Sequence, residues 1–491
     1  MDLEGGYAEC PVPLAVSRWP ALGGFGPRAL EACLFVWSAY AGDHMFGAVR
    51  NARKADDCAG VAALAIMAPA AMAGSVFEPW RTNREADRRQ TPAPDPKRRA
   101  MSDFEPFYDV NLSYEDNYAK GPFGEFAAAL KNDGGTVADG DANDESAVTA
   151  AGTAPAPAHS LLGFPVNLPF GIPAGPLLNS RFTTAAFRMG FDIATYKTVR
   201  SRAWGCNPFP NVLAVHPRRA DGRLIPGSAE LDEGVLADTN YEMPISISNS
   251  FGVPSRDPDE WQPDMRDAIA AAGLGQLLLP SFQGSRTEGM NESDYIADHV
   301  TTARLVTETG AGIMVMNTSC PNEGHNRLLC HDPELVGRIT EAVKNEIGDR
   351  PLMIKLAYLP EGPDPEHDPL ETMVRATAAR GTVQGFSAIN TISARLVDKD
   401  GNQALPGKGR DRSGVCGRAI RGAGVDMVSR LVAIRERLGL DFTIMGLGGV
   451  VAPDDYDAYR AAGADVVMSA TGAMWDAQLA HRIKEHVGVE A

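Results

Sequence analysis

Gly312-Ile313-Met314-Val315-Met316-Asn317-Thr318-Ser319-Cys320-Pro321-Asn322 is an apolar run that breaks off into two amides flanking a cysteine. Its first five residues carry no polar side chain, which suits a strand buried on both faces in a parallel sheet covered by helices. The hexapeptide Asn317 to Asn322 then puts hydrogen-bonding groups and a potential base at one strand tip. In a parallel α/β barrel that end of the strands carries the chemistry. A free cysteine is more often a small buried hydrophobe, so the meaning of Cys320 turns on whether the rest of the chain builds such a barrel.

Working outward, the same texture recurs from about residue 160 onward. Short apolar runs at 171–177, 194–199, 276–282, 312–319, 352–357, 386–391, 442–448 and 465–471 read as strands. Amphipathic stretches lie between them: 293–310, with Ile296, Val300 and Leu305 on one face, then 333–347, 419–438 and 453–463. Pro333 and Pro453 sit where a helix tolerates proline, in its first turn. Apolar strands separated by helices imply parallel βαβ units. Eight of them predict a (β/α)8 barrel over 159–491, with a doubly wound sheet as the alternative.

The flanks differ in character. Residues 1–100 lack periodicity and end in an Arg/Pro-rich stretch from Arg81 to Arg99, which predicts a poorly ordered extension. Met101 opens a patterned segment and is a candidate start of translation. Residues 101–158 read as a lead-in followed by low-complexity Gly/Ala/Asp/Thr linker. The uncharged stretch Ala59 to Phe77 is alanine-rich and contains Pro69, so peripheral membrane association is a weaker reading than a non-spanning segment.

A net charge of −17 argues against a nucleic-acid binder, which needs a basic stripe. The seven cysteines are scattered without a C-x-x-C pair, which argues against a disulfide framework, a metal site or a cysteine-ligated cluster and favours a reducing cytoplasm.

Several features fall at the expected C-terminal strand ends. Ala174-Gly175-Pro176 offers small residues against which a flat ligand could lie, or simply a tight turn. Lys197-Thr198 ends the second strand, and Lys355 interrupts the apolar run Met353-Ile354-Lys355-Leu356. A lysine in a buried run needs an anionic partner, and two of them on separate strand tips point to an anionic ring or carboxylate. Asn249, Asn317, Asn322 and Asn390 are poor strand formers at strand tips; singly each reads as a cap, together they suit recognition of an imide-like ring. Gly414-Val415-Cys416-Gly417, Gly446-Leu447-Gly448-Gly449 and Ala470-Thr471-Gly472 read as turns whose backbone could approach a phosphate. None is a triphosphate-binding loop.

Together these residues resemble the dihydroorotate dehydrogenase family of flavin mononucleotide barrels over about residues 160–485. Asn317-Thr318-Ser319-Cys320-Pro321-Asn322 is similar to the family's Asn-x-Ser-Cys/Ser-Pro-Asn, in which the Cys or Ser is the general base and the asparagines bind the pyrimidine. The cysteine form is that of the soluble, first-class enzymes. The resemblance implies FMN as cofactor, with Lys197 near flavin and substrate and Lys355 at the flavin N1/O2 edge. It implies Asn249 in the substrate loop and Asn390-Thr391 as a second amide contact. Ala174, Gly175, Thr198 and Asn317 fall on the flavin side, and Gly414, Gly417, Gly448, Gly449, Ala470 and Thr471 match the phosphate turns.

The implied reaction is oxidation of dihydroorotate to orotate in pyrimidine biosynthesis, with Cys320 and Lys197 as catalytic residues. A related resemblance, to the pyrimidine barrel of dihydropyrimidine dehydrogenase, covers Cys330 to Val336 and the Gly-Asn-Gln-Ala-Leu-Pro-Gly insertion at 401–407. That relative carries His where this chain has Asn322, which favours orotate over uracil. First-class relatives are often homodimers. A separate electron-transfer partner is compatible with the sequence, and the acceptor is not legible.

Overall fold

Each apolar run becomes a strand whose two faces are both covered. In the computed structural model the described residues are 104–131, 157–319 and 328–489. The expectations for residues 1–100, for 59–77 and for the 132–156 part of the linker therefore lie outside the described residues, as do Cys320, Pro321 and Asn322. Among the described residues no helix is long and apolar enough to cross a membrane.

In chain order, a hairpin of β1 (His159–Leu161) and β2 (Phe164–Val166) precedes β3 (Phe170–Ile172) and β4 (Ile193–Val199). Three short strands follow: β5 (Ala214–His216), β6 (Val235–Asp238) and β7 (Ser246–Asn249). Next come β8 (Leu277–Phe282), β9 (Met314–Asn317), β10 (Leu352–Leu356) and β11 (Gly385–Ala388). A further excursion, β12 (Ile392–Val397) and β13 (Arg412–Gly417), leads to β14 (Thr443–Leu447) and β15 (Val466–Met468).

Eight of these strands, β3, β4, β8, β9, β10, β11, β14 and β15, pair in parallel and in chain order, and β15 returns to β3. That closure makes a (β/α)8 barrel and removes the doubly wound alternative, which leaves two open edges. The eight runs expected from sequence are these eight strands, several of them shorter than expected: β3 ends at Ile172, so that Ala174-Gly175-Pro176 is loop, and β15 ends at Met468, before Ala470-Thr471. Gly171 is required here, because a Cβ would stand 2.0 Å from the Ile193 carbonyl oxygen across the β3–β4 pair.

Side chains from alternate strand positions, among them Ile193, Leu277, Leu279, Val315, Met353, Met445 and Val466, form a cluster of their own together with Leu161 and Val166 of the hairpin. The hairpin thus stops one mouth of the barrel. Asn167, just after it, donates its N–H to Gly275, just before β8, at 2.9 Å, so the stopped mouth is the N-terminal one. The opposite mouth is left for ligands.

There the two excursions meet. β12, β13, β7, β5 and β6 close into a second, five-stranded sheet, mostly antiparallel, built from the connections after β4 and β11. This corrects the reading of Gly414-Val415-Cys416-Gly417 as a turn: it belongs to β13, between β12 and β7, with Gly414 opposite Asn249 and Gly417 opposite Ser246. Gly414 is small because a Cβ would lie 2.4 Å from Thr391 Oγ1. The 219–245 segment, which resembles neither relative, supplies the short helix Glu230–Glu233 and β6 of this sheet.

Residues 104–131 form helices Tyr114–Lys120 and Gly124–Lys131, the first capped by Ser113 accepting from the Asp116 N–H at 3.0 Å. Phe107 stacks on Phe126 with ring centroids 4.3 Å apart, and the Phe107 N–H donates to the Met474 carbonyl at 3.1 Å. Four buried aromatics of this segment, Phe107, Tyr108, Tyr114 and Phe126, pack with the barrel's side chains.

Candidate active site

The C-terminal mouth holds a cavity with about 920 Å³ of space free of protein atoms, part of it open to solvent. Eleven residues singled out in the sequence line it: Ala174, Gly175, Lys197, Thr198, Asn249, Asn317, Lys355, Asn390, Thr391, Ala470 and Thr471. They come from the ends of β3, β4, β9, β10, β11 and β15 and from the roof strand β7. Gly414, Gly417, Gly448 and Gly449 are not in the wall, although Cys416 and Leu447 beside them are.

Gly417, Gly448 and Gly449 nonetheless form a small glycine junction behind the wall. All have positive φ (86°, 119° and 75°), and a Cβ on Gly449 would lie 2.8 Å from the Gly417 carbonyl oxygen. Only glycine permits that backbone approach.

The electrostatics of the cavity run against those of the whole chain. Among the described residues its wall contains two lysines and no aspartate or glutamate, although the protein carries a net charge of −17. Lys355 is 5% exposed. Its ammonium donates to the Ala174 carbonyl at 3.2 Å, tying the end of β10 to the loop after β3. Burial pulls its pKa down from 10.5 to about 8. Lys197 is likewise buried on β4, and the neighbouring Thr198 hydroxyl lies 2.9 Å from that of Ser281 on β8. Burial pushes the Cys416 thiol up to about 11, against the lowering influence of Thr471 and Lys355. A cavity of this sign attracts anions.

The cavity amides are held from outside. Asn390 Nδ2 donates to Ser319 Oγ at 2.8 Å, and Ser319 Oγ donates to Asn317 Oδ1 at 3.0 Å. Asn317 Nδ2 donates to Gln283 Oε1 at 2.6 Å. One polar chain, Gln283, Asn317, Ser319 and Asn390, thus runs across the ends of β8, β9 and β11. It fixes the Asn317 and Asn390 amides, in part through Gln283, a group that sequence reasoning passed over.

Other wall residues went unnoticed in the sequence. Tyr108 and Tyr114 reach the cavity from the lead-in, both edge-on to Phe251 (5.8 and 6.3 Å between centroids). Burial holds both phenols well above their usual pKa, so they are neutral walls. The only sequence signal for them was the density of aromatics around residues 104–118.

Fold and site together define a parallel barrel enzyme with an anion-attracting, amide-lined pocket at its C-terminal mouth. Known proteins sharpen that class. The family model for dihydroorotate dehydrogenase matches residues 283–489. The dihydroorotate dehydrogenase of Dictyostelium discoideum is 33% identical over 386 residues, covering 76% of this chain and 95% of that protein. A putative dihydroorotate dehydrogenase A (fumarate) of Solibacter usitatus is 27% identical, covering 48% of this chain and 78% of that protein. The dihydroorotate dehydrogenase (quinone) of Thermobifida fusca is also 27% identical, covering 66% and 76%. The chain belongs to the dihydroorotate dehydrogenase family and is an oxidoreductase.

Proposed function

We propose that this protein oxidises dihydroorotate to orotate with flavin mononucleotide as cofactor. The observation that carries the reading is the convergence of Lys197, Lys355, Asn249, Asn317 and Asn390 on one cavity without a carboxylate in its described wall. Dihydroorotate is an anion with an imide edge, so cations and amides are the groups it requires.

The residues also fit the cofactor. Gly175 has φ 145° and open space where a Cβ would stand, which leaves room for a flat ring against the backbone. Lys355 is a buried cation whose charge an electron-rich ring edge would stabilise. Ala470 and Thr471, at the end of β15, line the cavity where the resemblance puts the phosphate, with the Gly417, Gly448 and Gly449 junction behind them. Bound FMN supplies the hydride acceptor, at N5. Cys320 serves as general base and takes the C5 proton as the C6–H bond gives up its hydride. Lys197 holds the anionic group, and Asn249, Asn317, Asn322, Asn390 and Thr391 orient the ring. The 159–491 barrel carries these groups in a cytoplasmic enzyme. The electron acceptor differs among relatives, two of which are named for fumarate and quinone, so kinship alone does not assign it.

The test is a spectrum followed by a titration. The purified protein should be yellow with flavin absorbance, and anaerobic dihydroorotate should bleach it while dihydrouracil does not. A colourless protein with no affinity for added FMN, or bleaching by dihydrouracil alone, overturns the reading.

A further inference from the structure

The insertion between β12 and β13 has no part in the reaction as described, yet it ends in a buried arginine. Arg410 is 8% exposed and forms no ion pair among the described residues. Its guanidinium instead donates to neutral acceptors on three separate segments. Nη2 reaches the Ser250 carbonyl at 3.1 Å and its hydroxyl at 2.8 Å, and Nε reaches the same hydroxyl at 3.2 Å. Nη1 reaches the Pro208 and Pro406 carbonyls at 2.7 Å each, and Nη2 the Pro210 carbonyl at 3.2 Å. A planar fork with five donors suits such a task, and a lysine ammonium with three does not.

Ser250 follows Asn249 and precedes Phe251, and both neighbours line the cavity. The same loop is held at its other end by Arg200, whose Nε donates to the Val253 carbonyl at 3.0 Å. Between them the Asn207 N–H donates to the Phe251 carbonyl at 2.9 Å. Val253, a β-branched residue, sits at φ 51°, a conformation that persists only where the surroundings impose it.

We propose that Arg410 is a positioning residue: the insertion delivers it behind the Asn249–Val253 loop, where it fixes the face that Asn249 and Phe251 present to substrate. The proposal rests on the function proposed above for its turnover arm only.

The test uses the full-length, flavin-loaded protein with Arg410→Ala and Arg410→Lys. Arg412→Ala is the control, since Arg412 is an exposed residue of β13 paired with Asp232 at 2.7 Å. Arg410→Ala should raise KM for dihydroorotate and weaken orotate binding about tenfold or more, with kcat falling less than threefold and flavin content unchanged. Arg410→Lys should shift in the same direction by less, and Arg412→Ala should match the parent.

Hydrogen exchange read by mass spectrometry should show faster uptake in peptides covering 249–253 and 206–211, with α-helix 333–347 unaffected. Unchanged KM and exchange, or loss of folded protein in both Arg410 variants, overturns the proposal. If the parent does not turn over dihydroorotate at all, the exchange arm still decides Arg410 while the functional reading falls on its own.

Discussion

The barrel and the small sheet over its mouth contribute to one cavity in opposite ways. Barrel strands bring charge and hydrogen bonding: Lys197 and Lys355 stand on fully buried strands, and Asn317 and Asn390 at strand ends within a chain of polar contacts. The roof brings mostly shape: Val212, Ile247, Phe251 and Cys416, with Asn249 as its polar exception. The barrel groups are fixed by a closed ladder of strands. The roof loop is fixed by arginines reaching carbonyls far away in sequence. Reaction chemistry therefore should reside in the barrel, and substrate fit in the roof.

The largest expected effect tests the barrel side of that division. Cys320→Ala should slow reduction of the bound flavin by dihydroorotate about 10³-fold, the scale of a lost general base, without releasing the flavin. Stopped-flow bleaching measures it, and a rate within tenfold of the parent would remove Cys320 from the mechanism.

Next in size is the electrostatic strain of Lys355. Its pKa falls from 10.5 unfolded to about 8 folded. Between those values the unfolded chain holds a proton that the folded chain has lost, so stability rises with pH across the window. The rise amounts to about 3 kcal/mol for the ligand-free protein. Lys355→Met should abolish it and be the more stable form at pH 7. Urea midpoints at pH 7.5 and 10 check both statements, and parallel curves for the two proteins would show that Lys355 is not strained.

How much of this was legible follows the same division. Barrel strands are buried almost from end to end because helices cover one face and the barrel interior the other, so all eight could be read as mostly apolar runs. Pro333 and Pro453 marked two helix starts in the places where the helices begin. A lysine inside an apolar run, such as Lys355, was conspicuous for the same reason. Roof strands of three to six residues carry no such pattern. Gly414 to Gly417 looked like a turn because glycine also serves where strands crowd a neighbour, here Thr391 and Ile245. Arg200, Gln283 and Arg410 were invisible because their meaning lies in contacts spanning up to 202 residues. Tyr108 and Tyr114 were hidden in a segment whose neighbouring linker is low in complexity.

The smallest expected effect tests the roof. Asn249 stands opposite Gly414 at the end of β7 and lines the cavity. On the function proposed above, removing its amide deletes one hydrogen bond to substrate without disturbing the polar chain through Asn317 and Asn390. Asn249→Ala should therefore raise KM for dihydroorotate about tenfold and leave the flavin spectrum unaltered. Asn390→Ala, which also releases Ser319, should lower kcat as well. If the two variants give the same split between KM and kcat, roof and barrel do not divide the work, because a shape-giving loop and a strand-end network would then respond alike.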